Sequence, residues 1–188
     1  HEAVIHITIS SDFSSCYQNA CVAAEGFSNV YVVDSRNLST GHGLVVLEAA
    51  LAAQRGEQPE AIVAHLNEVA GQVEASFVVD KLDYLVKGGR CSSAAALGAN
   101  LLKLKPCIEV VDGRMKVGKK YRGNYDKVLL QYVRERLDGR DDLALDRIFV
   151  THTPCRPETV EAVKAEIQTY APFSEIIETT AGCTISSH

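Results

Sequence analysis

An apolar, β-branched run, Ala3-Val4-Ile5-His6-Ile7-Thr8-Ile9, leads straight into Ser10-Ser11-Asp12-Phe13-Ser14-Ser15-Cys16-Tyr17-Gln18 and then into the helix-prone residues 19–25. β-Branched residues favour strands, and clustered hydroxyls favour the first turn of a helix. The segment therefore predicts a strand over 3–9 and a helix over about 14–26. A second buried strand, Val30-Tyr31-Val32-Val33, ends in Asp34-Ser35. Strand, helix, strand in this order needs a layered α/β fold, because each strand must cover an apolar face with a helix.

The alternation continues. Thr40 to Arg55 is a Leu-, Val- and Ala-rich helix closed by Gly56, and Pro59 opens another that runs to about Val73. In the latter, Ile62, Leu66 and Val69 recur at helical spacing. The texture changes near Ala75. Residues 76–79 read as a strand, 81–87 as a short helix stopped by Gly88-Gly89, and 90–104 as a helix of small residues around Ala94-Ala95-Ala96. Asp112-Gly113 separates two apolar runs, 107–111 and 115–117, which is a hairpin signal and implies antiparallel pairing. Helices over about 124–137 and 157–170 and strands over 147–151 and 174–178 complete the chain. The expected fold is α/β: a mainly parallel sheet flanked by helices, then a smaller α/β part with antiparallel pairing.

Composition excludes several functions. A formal net charge of −5 argues against a nucleic-acid surface. Aromatics make up 6% with no Trp, which removes the stacking platforms of a single-strand binder. No apolar run approaches the ~20 residues of a membrane span. Cys16, Cys21, Cys91, Cys107, Cys155 and Cys183 contain no CxxC pair and no zinc-ligand spacing, so no metal and no cofactor are expected. They read as reduced thiols of a cytoplasmic protein. Both ends read as cut: His1 is followed at once by a strand, with no room for a signal peptide, and Ser187-His188 stops in a loop.

The hydroxyl cluster after the first strand is the leading candidate site. Helix N-termini carry unsatisfied N–H groups and partial positive charge, and strand-end loops of open α/β sheets are where ligands bind. Serine hydroxyls there suit a carboxylate or a phosphate. The same residues are also the ordinary caps of any helix. Gly41 and Gly43 permit close backbone approach, and equally read as poor helix-start residues with no ligand near. His152, at a strand end between Thr151 and Thr153, lines a site or is a satisfied loop histidine.

Several motifs in order carry a family resemblance. Residues 9–18 resemble the "ISSxLSGTYQ" segment of DegV proteins. Val30–Arg36 with Gly41-His42-Gly43 resembles "VYVVDSRxxSxGxG". Tyr84–Arg90 with Ala94-Ala95-Ala96 resembles "YLxxGGRISxAAA". Lys105-Pro106 and Asp112-Gly113 fit the next segment, and Lys119-Lys120-Tyr121-Arg122-Gly123 resembles "GKxRG". Two positions depart from the pattern: Ser15-Cys16 stands for Gly-Thr, and Ser186-Ser187 alters the approach to the histidine. The resemblance implies a two-domain fold that lacks here the family's N-terminal segment and extreme C-terminus. Residues 1–74 would be part of the first α/β domain, 75–172 the second, and 173–188 a segment returning to the first.

It also implies a function. DegV proteins bury a long-chain fatty acid between their domains, and in bacteria present it to a separate fatty acid kinase that makes the acyl phosphate. By motif, Ser10, Ser11 and His188 would hold the carboxylate, and Arg90 and Arg122 would serve the head group or face the kinase. A carrier of this kind is not itself an enzyme, carries no cofactor beyond its fatty acid, takes no nucleic acid and is not stably inserted in a membrane. Two other readings stand beside it. One is a serine hydrolase using Ser11 with His188, for which no GxSxG elbow exists. The other is a regulatory or interaction module with an incidental lipid pocket.

Overall fold

The computed structural model describes residues 2–80, 83–89, 91 and 104–182. Two short strands rich in Val and Ile, β1 (Val4–Thr8) and β2 (Val30–Asp34), pair in parallel with Val4 opposite Val30 and Thr8 opposite Asp34. A parallel pair needs a crossover, and α1 (Cys16–Ala24) supplies it. Helices α2 (Ser39–Gln54) and α3 (Pro59–Gln72) pack on each other, α2 against β1 and α3 against β2. Their apolar stripes meet the strands. Val33, Val45, Ala52, Ile62, Leu66 and Ala70 form a buried core, with Ile5 and Ile7 laid against it. Pro59 stands at the first turn of α3, where its missing N–H costs nothing.

Strands β3 (Ala75–Val78), β4 (Leu104–Val111) and β5 (Arg114–Arg122) form a sheet in that order. A short helix, α4 (Asp83–Gly88), follows β3. The β4–β5 turn is Asp112-Gly113, at φ 53° and 77°. Positive φ at both central residues is the hairpin geometry whose twist matches the antiparallel strands it joins. The helix expected over 90–104 lies outside the described residues.

Helix α5 (Tyr125–Leu137) is capped by Asn124, whose side chain accepts from Lys127 N. Strands β6 (Arg147–His152) and β7 (Glu175–Thr180) pair in parallel, with α6 (Pro157–Tyr170) as their crossover. Val133, Leu137, Ile167, Ala171 and Phe173 form the core there, and Ile148, Val150 and Ile176 of the strands pack on it. Val78, Cys107, Tyr121 and Val128 form a second buried group, with Tyr125 donating its hydroxyl to Val78 O at 2.8 Å.

The chain divides into two units. One holds residues 1–76 together with 109–116, the hairpin tip; the other holds 77–108 and 117–188. Residues 173–182, expected as part of a returning segment, belong to the second unit through the β6–β7 pairing. Each element expected from sequence within the described residues is present, with boundaries within about three residues except at β5, expected over 115–117 and running on to Arg122.

Candidate functional site

The carboxyl ends of β1 and β2 open into two loops, residues 9–15 and 35–38. The Asp34 carboxylate binds both. It accepts from Ser11 N at 3.2 and 3.3 Å and from Arg36 N at 2.8 Å. Asp34 thereby ends its own strand in a tight turn, with Arg36 at φ 51°, and ties down the first residues after β1.

Ser10 is buried, at 1% exposure. Its hydroxyl donates to Gly113 O at 2.8 Å, across 103 residues of sequence, and accepts from Asp12 N at 3.3 Å. Its single proton is thus committed to the hairpin tip. A Cβ at Gly113 would stand 2.7 Å from Ser10 Oγ, so the approach requires glycine there, beyond its φ of 77°. Ion pairs reinforce the contact: Arg114 Nε to Asp12 Oδ1 at 2.8 Å, and Arg36 to Asp112 at 3.4 Å.

Ser11 differs from Ser10. Its backbone N–H is held by Asp34, yet its side-chain hydroxyl, half-buried, has no partner among the described residues. A hydroxyl so placed can turn its proton to a ligand. The start of α1 is capped by Ser14 rather than by Ser15: Ser14 Oγ accepts from Cys16 N at 3.2 Å, and Ser15 makes no side-chain cap bond. The cluster that reads in sequence as a single patch of donors therefore separates into Ser10 for the scaffold, Ser14 for the cap, and Ser11, whose hydroxyl is unpaired among the described residues.

The charge balance of these loops is negative. Asp12 pairs with the Arg114 guanidinium and Asp112 with that of Arg36, while the Asp34 carboxylate is met by the backbone N–H groups of Ser11 and Arg36. An added carboxylate needs a further cation. Of the residues expected to supply one, Arg122 lies exposed at the end of β5 with no ion pair among the described residues. Arg90 and His188 lie outside the described residues, and with His188 the Ser11–His188 pairing of the hydrolase reading.

His42 is a neighbour that the sequence did not flag. It lies in α2, half-buried. Burial pushes its ring below the ordinary histidine value, against a hydrogen bond with the Ile7 carbonyl, and His6 lowers it further. Its Nε2 is buried without a hydrogen-bond partner. A neutral imidazole fits that environment. Gly41 has a packing role: its missing Cβ leaves room for Asn37, which is 1% exposed, donates to Val73 O at 3.1 Å and accepts from Leu38 N at 3.1 Å. At Gly43 a Cβ would meet nothing within 4 Å.

No described residues group as metal ligands, and no helix of the described residues is long and apolar enough to cross a membrane.

Comparison with known proteins bears on the same chain. Residues 1–188 match the family model described as "Uncharacterised protein, DegV family". A DegV domain-containing protein of Caldanaerobacter subterraneus subsp. tengcongensis is 31% identical over 188 residues, which are 98% of this chain and 66% of that protein. Another, from Clostridium acetobutylicum, is 34% identical over 146 residues, 76% of this chain and 52% of that one. The crystal structure of a DegV lipid-binding protein from Thermotoga maritima superposes with a TM-score of 0.83 at 27% identity, covering 100% of this chain and 65% of that one. A DegV family protein from Thermus thermophilus, described for its fatty acid binding, gives a TM-score of 0.80 at 30% identity, covering 100% and 67%. The chain thus spans half to two thirds of the length of these relatives.

Proposed function

The chain belongs to the DegV family, and from that premise we propose that it binds a long-chain fatty acid with the carboxylate at the serine pair closing β1. The observation that carries the reading is the division of labour at Ser10 and Ser11. Ser10 locks the loop to the hairpin tip, while Ser11 keeps a hydroxyl free at the carboxyl end of a parallel strand. A preorganised donor of this kind holds a carboxylate without the ordering cost of a mobile loop. Solved relatives support the ligand class, since those from Thermotoga maritima and Thermus thermophilus are described as lipid- or fatty-acid-binding. By motif, Arg90 and His188 are the residues that the family pattern assigns to the head group.

The protein acts as a carrier in the cytoplasm, not an enzyme, and presents the bound acid to a separate fatty acid kinase. Arg122 serves that encounter, exposed beside Lys120 on β5. A rim charge acts mainly on association, so Arg122→Glu should slow acyl-phosphate formation with the kinase at low salt and leave fatty acid binding intact.

Hexadecanoic acid titrated into lipid-stripped intact protein tests the site. Ser11→Ala removes one hydrogen bond to a charged acceptor, about 1.5–3 kcal/mol, and weakens binding roughly 10- to 150-fold. Stability should change by less than about 0.5 kcal/mol, because the hydroxyl has no partner among the described residues to lose. Unchanged affinity in Ser11→Ala would move the head group elsewhere. Absence of any fatty acid binding by the intact wild type would end the carrier reading.

A further inference from the structure

A second cluster stands in the other unit, where β6 runs into α6. His152 is the last residue of β6, Cys155 lies three residues on in the connecting loop, and Glu178 is on β7, the parallel neighbour. His152 Nδ1 is 3.4 Å from Cys155 Sγ, and His152 Nε2 is 3.2 Å from Glu178 Oε1. We propose that Cys155 is a reactive thiol, activated by His152 and Glu178, and that hydroperoxides oxidise it to a sulfenic acid.

The hydrogen bonding around the imidazole carries the inference. Nε2 faces the Glu178 carboxylate. Nδ1 faces Thr153 O at 2.8 Å and the Cys155 sulfur. A carbonyl and an ionised carboxylate can only accept. Each ring nitrogen therefore faces an acceptor, and the Cys155 sulfur lies against the Nδ1 edge of an imidazole that a carboxylate orients from behind, the Cys–His–carboxylate arrangement that activates thiols. Glu178 is itself secured. Lys164 of α6 bonds its other oxygen and also Glu161, and the lysine together with His152 holds the Glu178 carboxyl below its usual range. Tyr125 of α5 also senses Cys155, and the Arg156–Asp126 ion pair flanks the loop.

Exposure separates Cys155 and Cys16 from the other described thiols: Cys91 and Cys107 are buried and Cys21 is half-buried. Among the described residues Cys16 has the Ser14 hydroxyl at its sulfur, 3.0 Å away, and no base. It is an internal reference within the same molecule. A shared metal ion is not the reading, since Glu178 occupies the ring nitrogen opposite the one that faces the sulfur.

The oxidation balances with the peroxide as co-reactant. The Cys155 sulfur attacks the terminal oxygen of the hydroperoxide; an S–O bond forms and the O–O bond breaks. The leaving alkoxide or hydroxide takes the Nδ1 proton of His152. Sulfur loses two electrons to the peroxide oxygens, and the products are the sulfenic acid and an alcohol or water.

The intact protein, treated with hydrogen peroxide at neutral pH with a dimedone probe present, is digested, and labelling is followed by mass spectrometry of the two cysteine peptides. Cys155 should label about tenfold faster than Cys16 in the native protein, and at the same rate in concentrated urea, where the cluster is dissolved. His152→Gln should bring native Cys155 down to about the rate of Cys16 and leave Cys16 unchanged. Glu178→Gln keeps an acceptor for Nε2 but loses the charge, and should lower the rate by a smaller factor, about threefold. Equal native rates for the two cysteines in the wild type overturn the proposal without recourse to any variant. Undiminished Cys155 labelling in a His152→Gln protein of native circular dichroism overturns the role of the histidine.

Discussion

Two glycines two residues apart in α2, on opposite sides of the helix, should respond to alanine in opposite directions. In an exposed helix interior Gly→Ala stabilises by about 0.5–1 kcal/mol, because alanine has less backbone freedom to lose. Gly43 is half-buried, yet a Cβ there would meet nothing within 4 Å, so the same gain applies. At Gly41 a Cβ would stand 2.1 Å from Asn37 Oδ1, 2.6 Å from Asn37 Cγ and 3.1 Å from Ala75 Cβ. Asn37 cannot swing away at small cost. It is 1% exposed and its amide holds Val73 O and Leu38 N. Displacing it leaves two buried groups unpaired, at about 1–3 kcal/mol each. After the helical gain is subtracted, Gly41→Ala should destabilise by about 2–4 kcal/mol. At roughly 2–4 °C per kcal/mol for a chain of this size, the melting temperature should fall by about 4–16 °C. Thermal and urea melts of wild type, Gly41→Ala and Gly43→Ala, followed by circular dichroism, read both signs in one experiment. Gly41→Ala as stable as wild type would show that Asn37 gives way freely and would refute the reasoning.

Two further outcomes rest on other contacts. Ser10→Ala should cost about 2–3 kcal/mol in a urea melt, from a lost buried hydrogen bond and the Gly113 carbonyl left without its donor, whereas Ser11→Ala should cost almost nothing. Burial, with Asp80 and then Cys155 behind it, pushes the Tyr125 phenol from 10.0 up to about 12. The unfolded phenol then loses its proton first, so stability holds below about pH 10 and falls as pH rises from there to about 12, by at most about 3 kcal/mol. Alkaline melts of wild type and Tyr125→Phe measure that slope, and equal slopes would refute the assignment.

What the amino-acid sequence determined by itself was local. Val4–Thr8 and Val30–Asp34 are strands because β-branched residues fit a pleated, half-buried surface; Pro59–Gln72 is a helix because Ile62 and Leu66 share one stripe. Asp112-Gly113 marks a hairpin because both residues tolerate positive φ. Such signals act over a few residues, and motif order extends them to the family. The tertiary structure alone decided partners. Ser10 and Ser11 are adjacent and chemically identical, yet the hydroxyl of one is bound to a carbonyl 103 residues away and that of the other has no partner among the described residues. Gly41 and Gly43 look alike until Asn37 is placed against one of them. His152 reads as a strand-end histidine until the parallel pairing of β6 and β7 brings Glu178 to one ring nitrogen, and the loop turns Cys155 toward the other. A residue's type says which bonds it can make; only the register of strands and the packing of loops, set by burial over the whole unit, says with whom.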